Sequence, residues 1–218
     1  MVLLQAAEAE IASLNLFDMA TKGGWIMIPL LLLCILAIYI FIERLIVIRK
    51  ASQKDPSFMN KIKDYINEGK IDAALTLCKN TDTPYSRMIE KGITRLGRPM
   101  NDVMVAIENV GNIEVGKLER GLSLLATTAG GGPMIGFLGT VTGMIQAFFN
   151  MANAGNNVDV TSLADGIYTA MVTTVAGLIV GIIAFFAYNY LTAKVDTVVN
   201  NMEARTVEFM DILNEPAN

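Results

Sequence analysis

Thr140 and Thr174 are the residues whose surroundings most suggest chemistry. Each stands near the middle of a stretch with no Asp, Glu, Lys or Arg, Gly121 to Val158 for the first and Gly166 to Ala193 for the second. A hydroxyl in such a place has two uses. It can donate to the carbonyl four residues earlier in its own helix, as threonine commonly does, or it can line a polar, partly wet seam along which ions or another helix pass. Thr127, Thr128, Thr142, Thr169 and Thr173 extend such a seam. Proton relays through membranes normally use Asp, Glu or His. Neither stretch contains one, and the chain has no histidine at all. A proton-coupled role therefore requires a carboxylate from a partner helix.

Small residues accompany the threonines. Gly132, Gly136, Gly139, Gly143 and Ala147 recur every three or four positions in the first stretch, and Gly166, Ala170, Gly177, Gly181 and Ala184 in the second. Lipid tails provide no hydrophobic drive for helices to associate, so close backbone approach through small residues must supply the contact. The two stripes pack against each other, against another chain, or both.

Other signals carry little. Gly130-Gly131-Gly132 is not followed by Gly-Lys-Ser/Thr and lies in an apolar run, so no phosphate loop is read there. No nucleophile–base pair is visible, which argues against an enzyme. Cys34 and Cys78 fall in different regions with no metal-ligand spacing, so neither a disulfide nor a metal or other cofactor is expected. A net charge of −4 does not suggest nucleic acid.

The elements that position the threonines follow from composition. Hydrophobic residues make up 53% of 218 and charged residues 17%. Besides the two stretches above, Gly23 to Ile42 is free of charge. Each reaches the roughly 20 residues that a helix needs to span a bilayer, and a helix satisfies its own backbone there. The reading is an all-α membrane protein with three transmembrane helices. The second and third have long cytoplasmic extensions, and small cytoplasmic helices pack on these. The expected order is an extracytoplasmic segment 1–22, spans 23–48, 121–152 and 166–193, a cytoplasmic region 49–120, a turn 153–165 and a tail 194–218. Segment 1–22 is either an amphipathic helix on the outer surface or disordered, and no cleaved signal peptide is read there.

Orientation follows the basic residues. Thirteen of the seventeen Lys and Arg lie between Arg49 and Arg120, one precedes the first span, and none lies between the second and third. The N-terminus is thus expected outside and the C-terminus in the cytoplasm. Within 49–120, Asp55-Pro56 reads as an N-cap and first helical residue, before Phe58, Met59, Ile62, Tyr65 and Ile66 at helical spacing. Further helices begin after Glu68-Gly69-Lys70 and at Pro84. From Asn101 the apolar spacing Val103, Ile107, Val110, Leu118, Leu122 runs into the second span. It predicts one helix of roughly 50 residues, about 75 Å long.

A first span ending Ile42-Glu43-Arg44-Leu45, a basic helical segment, Pro-Met-Ile-Gly-Phe-Leu-Gly-Thr-Val-Thr-Gly-Met over Pro133–Met144, and Thr-Thr-Val-Ala-Gly-Leu over Thr173–Leu178 follow one another in this order. With these motifs the sequence resembles the MotA/TolQ/ExbB proton channel family. Three spans rather than four are similar to the ExbB and TolQ branches. The resemblance implies a homopentamer in a bacterial inner membrane around two single-span ExbD-like or TolR-like chains. One Asp of those chains carries the proton, and the motor serves a TonB-like protein or, in the TolQ role, the cell envelope. A non-conducting membrane scaffold is the alternative of another class. The family also implies that Thr140 and Thr174 face the partner Asp, with Thr173 and Thr169 beside the ion path. Where many of its members place a Glu five residues before the second threonine, this sequence has Thr169.

Overall fold

The computed structural model describes residues 23–53, 55–153 and 160–214. The expectations for segment 1–22 and for the centre of the turn between the second and third spans fall outside these residues. Among the described residues the chain is helical throughout, with no strand. The helices are α1 (Met27–Ala51), α2 (Phe58–Asn67), α3 (Ile71–Thr81), α4 (Pro84–Ile93), α5 (Met100–Glu119), α6 (Leu122–Asn153) and α7 (Val160–Asn214). α1, the α5–α6 stretch and α7 each contain a segment long and apolar enough to cross a membrane. The chain divides into two compact units. One comprises residues up to Ile40 with Leu124–Tyr188, and the other Phe41–Ser123 with residues from Asn189 onward.

In the first unit, large apolar side chains point outward on every helix, among them Leu31 and Leu32 of α1, Met134, Phe137 and Ile145 of α6, and Ile182 and Phe186 of α7. Such a continuous apolar surface suits lipid rather than water. The interior holds Leu30, Leu125 and Ala184, but its main content is backbone. A methyl group added at Gly136 would stand 2.7 Å from the Thr173 carbonyl oxygen and 3.0 Å from the Gly177 Cα. One at Gly177 would stand 2.6 Å from the Gly132 oxygen, and one at Gly143 would meet the Ala170 Cβ at 2.8 Å. The two stripes are therefore used against each other, antiparallel, from Gly132–Gly181 at one end to Ala147–Gly166 at the other. Pro133 lies inside α6 and has no N–H to give the Ala129 carbonyl. Gly181 leaves room beside that freed oxygen, since a methyl there would come within 2.9 Å of it.

The second unit is a small helical domain. α2 packs on α3, α3 on α4 and α4 on α5, around Phe58, Ile62, Ile89, Ile107 and, from the C-terminal part of α7, Phe209. Phe58 meets Tyr85 edge-on at 5.2 Å. Gly92 lets α4 lie against Ile107 and Phe209, whose side-chain carbons would be 2.8 and 2.6 Å from an added methyl. Cys78 is buried here, and burial pushes its thiol up to about 12, so it behaves as a small apolar side chain.

Two local expectations are corrected. Asp55 does not cap α2. Its Oδ1 accepts from the Ser57 amide at 2.9 Å and hydroxyl at 2.7 Å, which closes a turn over Pro56 and delays the helix to Phe58. More consequentially, the helix expected to run unbroken from Asn101 into the second span stops at Glu119 and restarts at Leu122. Arg120 leaves helical geometry with ψ 125°, and Gly121 adopts φ +85°, a left-handed conformation that glycine reaches without steric cost. The apolar spacing continues across the break because the two-residue joint does not disturb the burial of Leu118 and Leu122. At α4 the signal was good. Thr83 and Ser86 form a reciprocal capping box ahead of Pro84, the Thr83 amide donating to the Ser86 hydroxyl at 2.9 Å.

Candidate functional site

The glycine contacts bring the threonine hydroxyls of α6 and α7 together. Thr140 and Thr174 touch through their hydroxyl oxygens. Neither bonds the carbonyl four residues earlier in its own helix. Thr140 donates across to the Ala170 oxygen at 3.0 Å, and Thr174 donates across to the Gly136 oxygen at 3.2 Å. Each hydroxyl thus takes the carbonyl that the other would use within its own helix. Thr173, buried, reaches both oxygens, Ala170 at 2.7 Å and Gly136 at 3.1 Å.

A hydroxyl carries one hydrogen, so these contacts cannot all be donated at once. Two complete arrangements exist. In one, Thr174 donates to Thr140, Thr140 to the Ala170 oxygen, and Thr173 to the Gly136 oxygen. In the other, Thr140 donates to Thr174, Thr174 to the Gly136 oxygen, and Thr173 to the Ala170 oxygen. Both satisfy both carbonyls. The oxygens stand at hydrogen-bonding distance from one another. Thr140 and Thr174 remain half-buried and keep lone pairs for a group that approaches the seam.

The other expected seam residues divide. Thr128 donates to its own Leu124 oxygen at 2.8 Å, and Thr142 to its own Leu138 oxygen at 2.9 Å. Both follow the intrahelical pattern and stand apart from the cross-helix set. Thr169 is half-buried one turn from Thr173 and makes no hydrogen bond among the described residues. Gly132, Gly136, Gly139, Gly143, Gly177 and Gly181 all lie on the α6–α7 contact. By contrast, added methyls at Gly130 and Gly131 would meet nothing within 4 Å.

A second polar cluster, in the other unit, escaped the sequence reading. Glu114 is 3% exposed. Its oxygens accept from Arg87 at 2.6 Å and Lys117 at 2.7 Å. Arg87 also binds the Asp82 carboxylate and its carbonyl. Arg44, from α1, donates to the Lys117 carbonyl at 3.0 Å, one of the oxygens left open where α5 ends. Burial pushes the Glu114 carboxyl up, but the hydrogen bonds and charges of Arg87 and Lys117 outweigh it and hold the group below the ordinary carboxylate range. A signal was present in the sequence. Glu114 sits on the apolar stripe of α5, seven residues after Ile107 and four before Leu118.

Residues 80–204 match the family described as the MotA/TolQ/ExbB proton channel family. The chain is 31% identical over 193 residues to a putative biopolymer transport protein ExbB homolog of Methanothermobacter thermautotrophicus, covering 87% of this chain and 67% of the relative. It is 30% identical to a putative biopolymer transport protein ExbB-like 1 of Synechocystis, over 82% of this chain and 71% of the relative. The Tol-Pal system protein TolQ of Haemophilus influenzae is 35% identical over 49% of this chain and 46% of its own length.

Proposed function

The chain belongs to the MotA/TolQ/ExbB proton channel family, and from that premise we propose that it is the ExbB-like subunit of an inner-membrane motor driven by the proton-motive force. Five copies surround two single-span ExbD-like chains, and the motor energises a TonB-like protein for outer-membrane transport. The second unit lies in the cytoplasm, the N-terminus in the periplasm. The longer matches to ExbB-like relatives than to TolQ favour this branch over an envelope-maintenance role.

The observation that carries the proposal is the crossed Thr140–Thr174 pair in charge-free stretches with no Asp, Glu, His, Lys or Arg. A neutral seam cannot take up a proton and keep it, and charge placed there would be costly. It can, however, accept a hydrogen bond from a partner's protonated carboxyl, or donate one to the carboxylate by turning the hydrogen of the Thr140–Thr174 bond outward. The partner's acid thus meets a suitable surface in either protonation state, and neither state is trapped. Thr173 satisfies one carbonyl, and whichever of Thr140 and Thr174 stays turned inward satisfies the other. Thr169 brings a hydroxyl rather than a carboxylate to the α7 side, so the titrating group belongs to the partner.

Proton flux into vesicles that hold this chain with an ExbD-like partner tests the reading. Thr140→Val combined with Thr174→Val keeps shape and removes both hydroxyls, and flux is expected to fall to the level of partner-free vesicles. Undiminished flux would sink the assignment of the seam. Mass measurement of the purified complex tests the five-fold architecture separately.

A further inference from the structure

Beyond the channel reading, we propose that the second unit carries a phosphate-binding site, placed to take the phosphodiester headgroup of an anionic lipid. A cavity of about 290 Å³ opens between the end of α1, the start of α4 and the end of α5, bounded by Lys50, Asp82, Arg87, Glu114 and Lys117. This is near the lower end of the roughly 300–1,000 Å³ typical of ligand pockets and suits a phosphate with its glycerol.

Three cations face two carboxylates there, and the pairing leaves positive charge over. Glu114 is committed to Arg87 and Lys117, and Asp82 is committed to Arg87. Lys50 comes only to 3.7 Å of Asp82 and is 72% exposed at its side chain. Lys117 has further ammonium hydrogens beyond the one given to Glu114. Donors without acceptors around a concave, positively biased space call for an oxyanion, which charge-assisted hydrogen bonds hold well.

Position along the chain selects the source of that oxyanion. Lys50 lies in the last turn of α1, eight residues past Ile42, where the charge-free first stretch ends, and Lys117 four residues before Gly121, where the charge-free second stretch begins. Two separate spans therefore each bring a lysine to this cavity within about two turns of the end of their charge-free run. That is the depth at which basic pockets meet lipid headgroups. Ile46 and Val47, exposed on the turn before Lys50, supply an apolar path for an acyl chain.

The test uses the full chain reconstituted in nanodiscs of phosphatidylcholine with or without phosphatidylglycerol, then extracted in detergent, with retained lipid counted by native mass spectrometry. The wild type is expected to keep phosphatidylglycerol selectively. Lys50→Gln, at an exposed position that leaves the fold unchanged by thermal melting, should cut that retention about tenfold, the loss of one charge-assisted contact. Arg49→Gln removes the same charge one residue away but outside the cavity, and should leave retention intact. A second arm adds inorganic phosphate. Competition with the lipid shows a site for phosphoryl groups in general, and no competition assigns it to the lipid. Either result supports the site. Equal retention by the wild type and Lys50→Gln, or equal loss with Arg49→Gln, overturns it.

Discussion

The α6–α7 seam and the Glu114 cluster bury polar groups by opposite means. At the seam nothing is charged. The helices approach through glycine until carbonyls of one face hydroxyls of the other, and three threonines share two acceptors. Around Glu114, a carboxylate sits on the apolar face of α5 and is tolerated because two cations hold it. The first arrangement is adjustable. Its hydrogens have two complete patterns, and no large desolvation penalty fixes either. The second is committed, since removing any partner leaves a buried charge exposed to its full cost. A moving proton is better served by the first, and a fixed junction by the second.

The comparison can be broken by substitution. Gly136→Val should do the most damage, because its Cβ would lie 2.7 Å from the Thr173 oxygen and backbone cannot yield as a side chain can. A loss on the order of 3 kcal/mol is expected in detergent unfolding, together with loss of flux. Glu114→Gln should come next, at about 1–3 kcal/mol at neutral pH, with flux reduced only through stability. The pH response sharpens the same contrast. The folded Glu114 carboxyl lies below its unfolded value of about 4.3, so its stabilisation is complete above that pH and fades as pH falls through the depressed value. Thermal melts of the wild type should therefore fall from about pH 4 downward, and Glu114→Gln should flatten that fall.

Thr140→Val should cost only about 0.6 kcal/mol, the usual worth of a hydrogen bond between membrane helices, yet it should strongly reduce proton flux with an ExbD-like partner. Stability and flux loss of equal severity would make Thr140 a packing residue instead. The smallest effect is expected at Gly130→Ala, where an added methyl meets nothing within 4 Å. A change under about 1 kcal/mol, in the stabilising direction, would show that the seam depends on glycine by position rather than by number.

Several features were legible without coordinates because they depend on local physics. Runs without charge long enough to span a bilayer, the recurrence of Gly132, Gly136 and Gly143 on one helical face, and the helix start at Pro84 are each set within a few turns of chain. So is the lack of any carboxylate, histidine, lysine or arginine in the second and third charge-free stretches, which follows from residue type alone. The antiparallel packing of the two stripes was one of the alternatives left open. Periodicity says that a face is small, not what covers it.

Only the tertiary structure decided which carbonyl each hydroxyl reaches. Thr140 and Thr174 are 34 residues apart, and their exchange of acceptors depends on the register of two helices in contact. Within one helix, each would have met its own carbonyl. The break at Gly121 belongs to the same class, since the oxygen it leaves open at Lys117 is answered by Arg44, 73 residues away. Glu114 stands on the apolar stripe of α5, but that it is buried as a carboxylate depends on Arg87, which comes from another helix to meet it. Local patterns determine what a segment can form, whereas the neutralisation of polar groups is settled by partners distant in the chain.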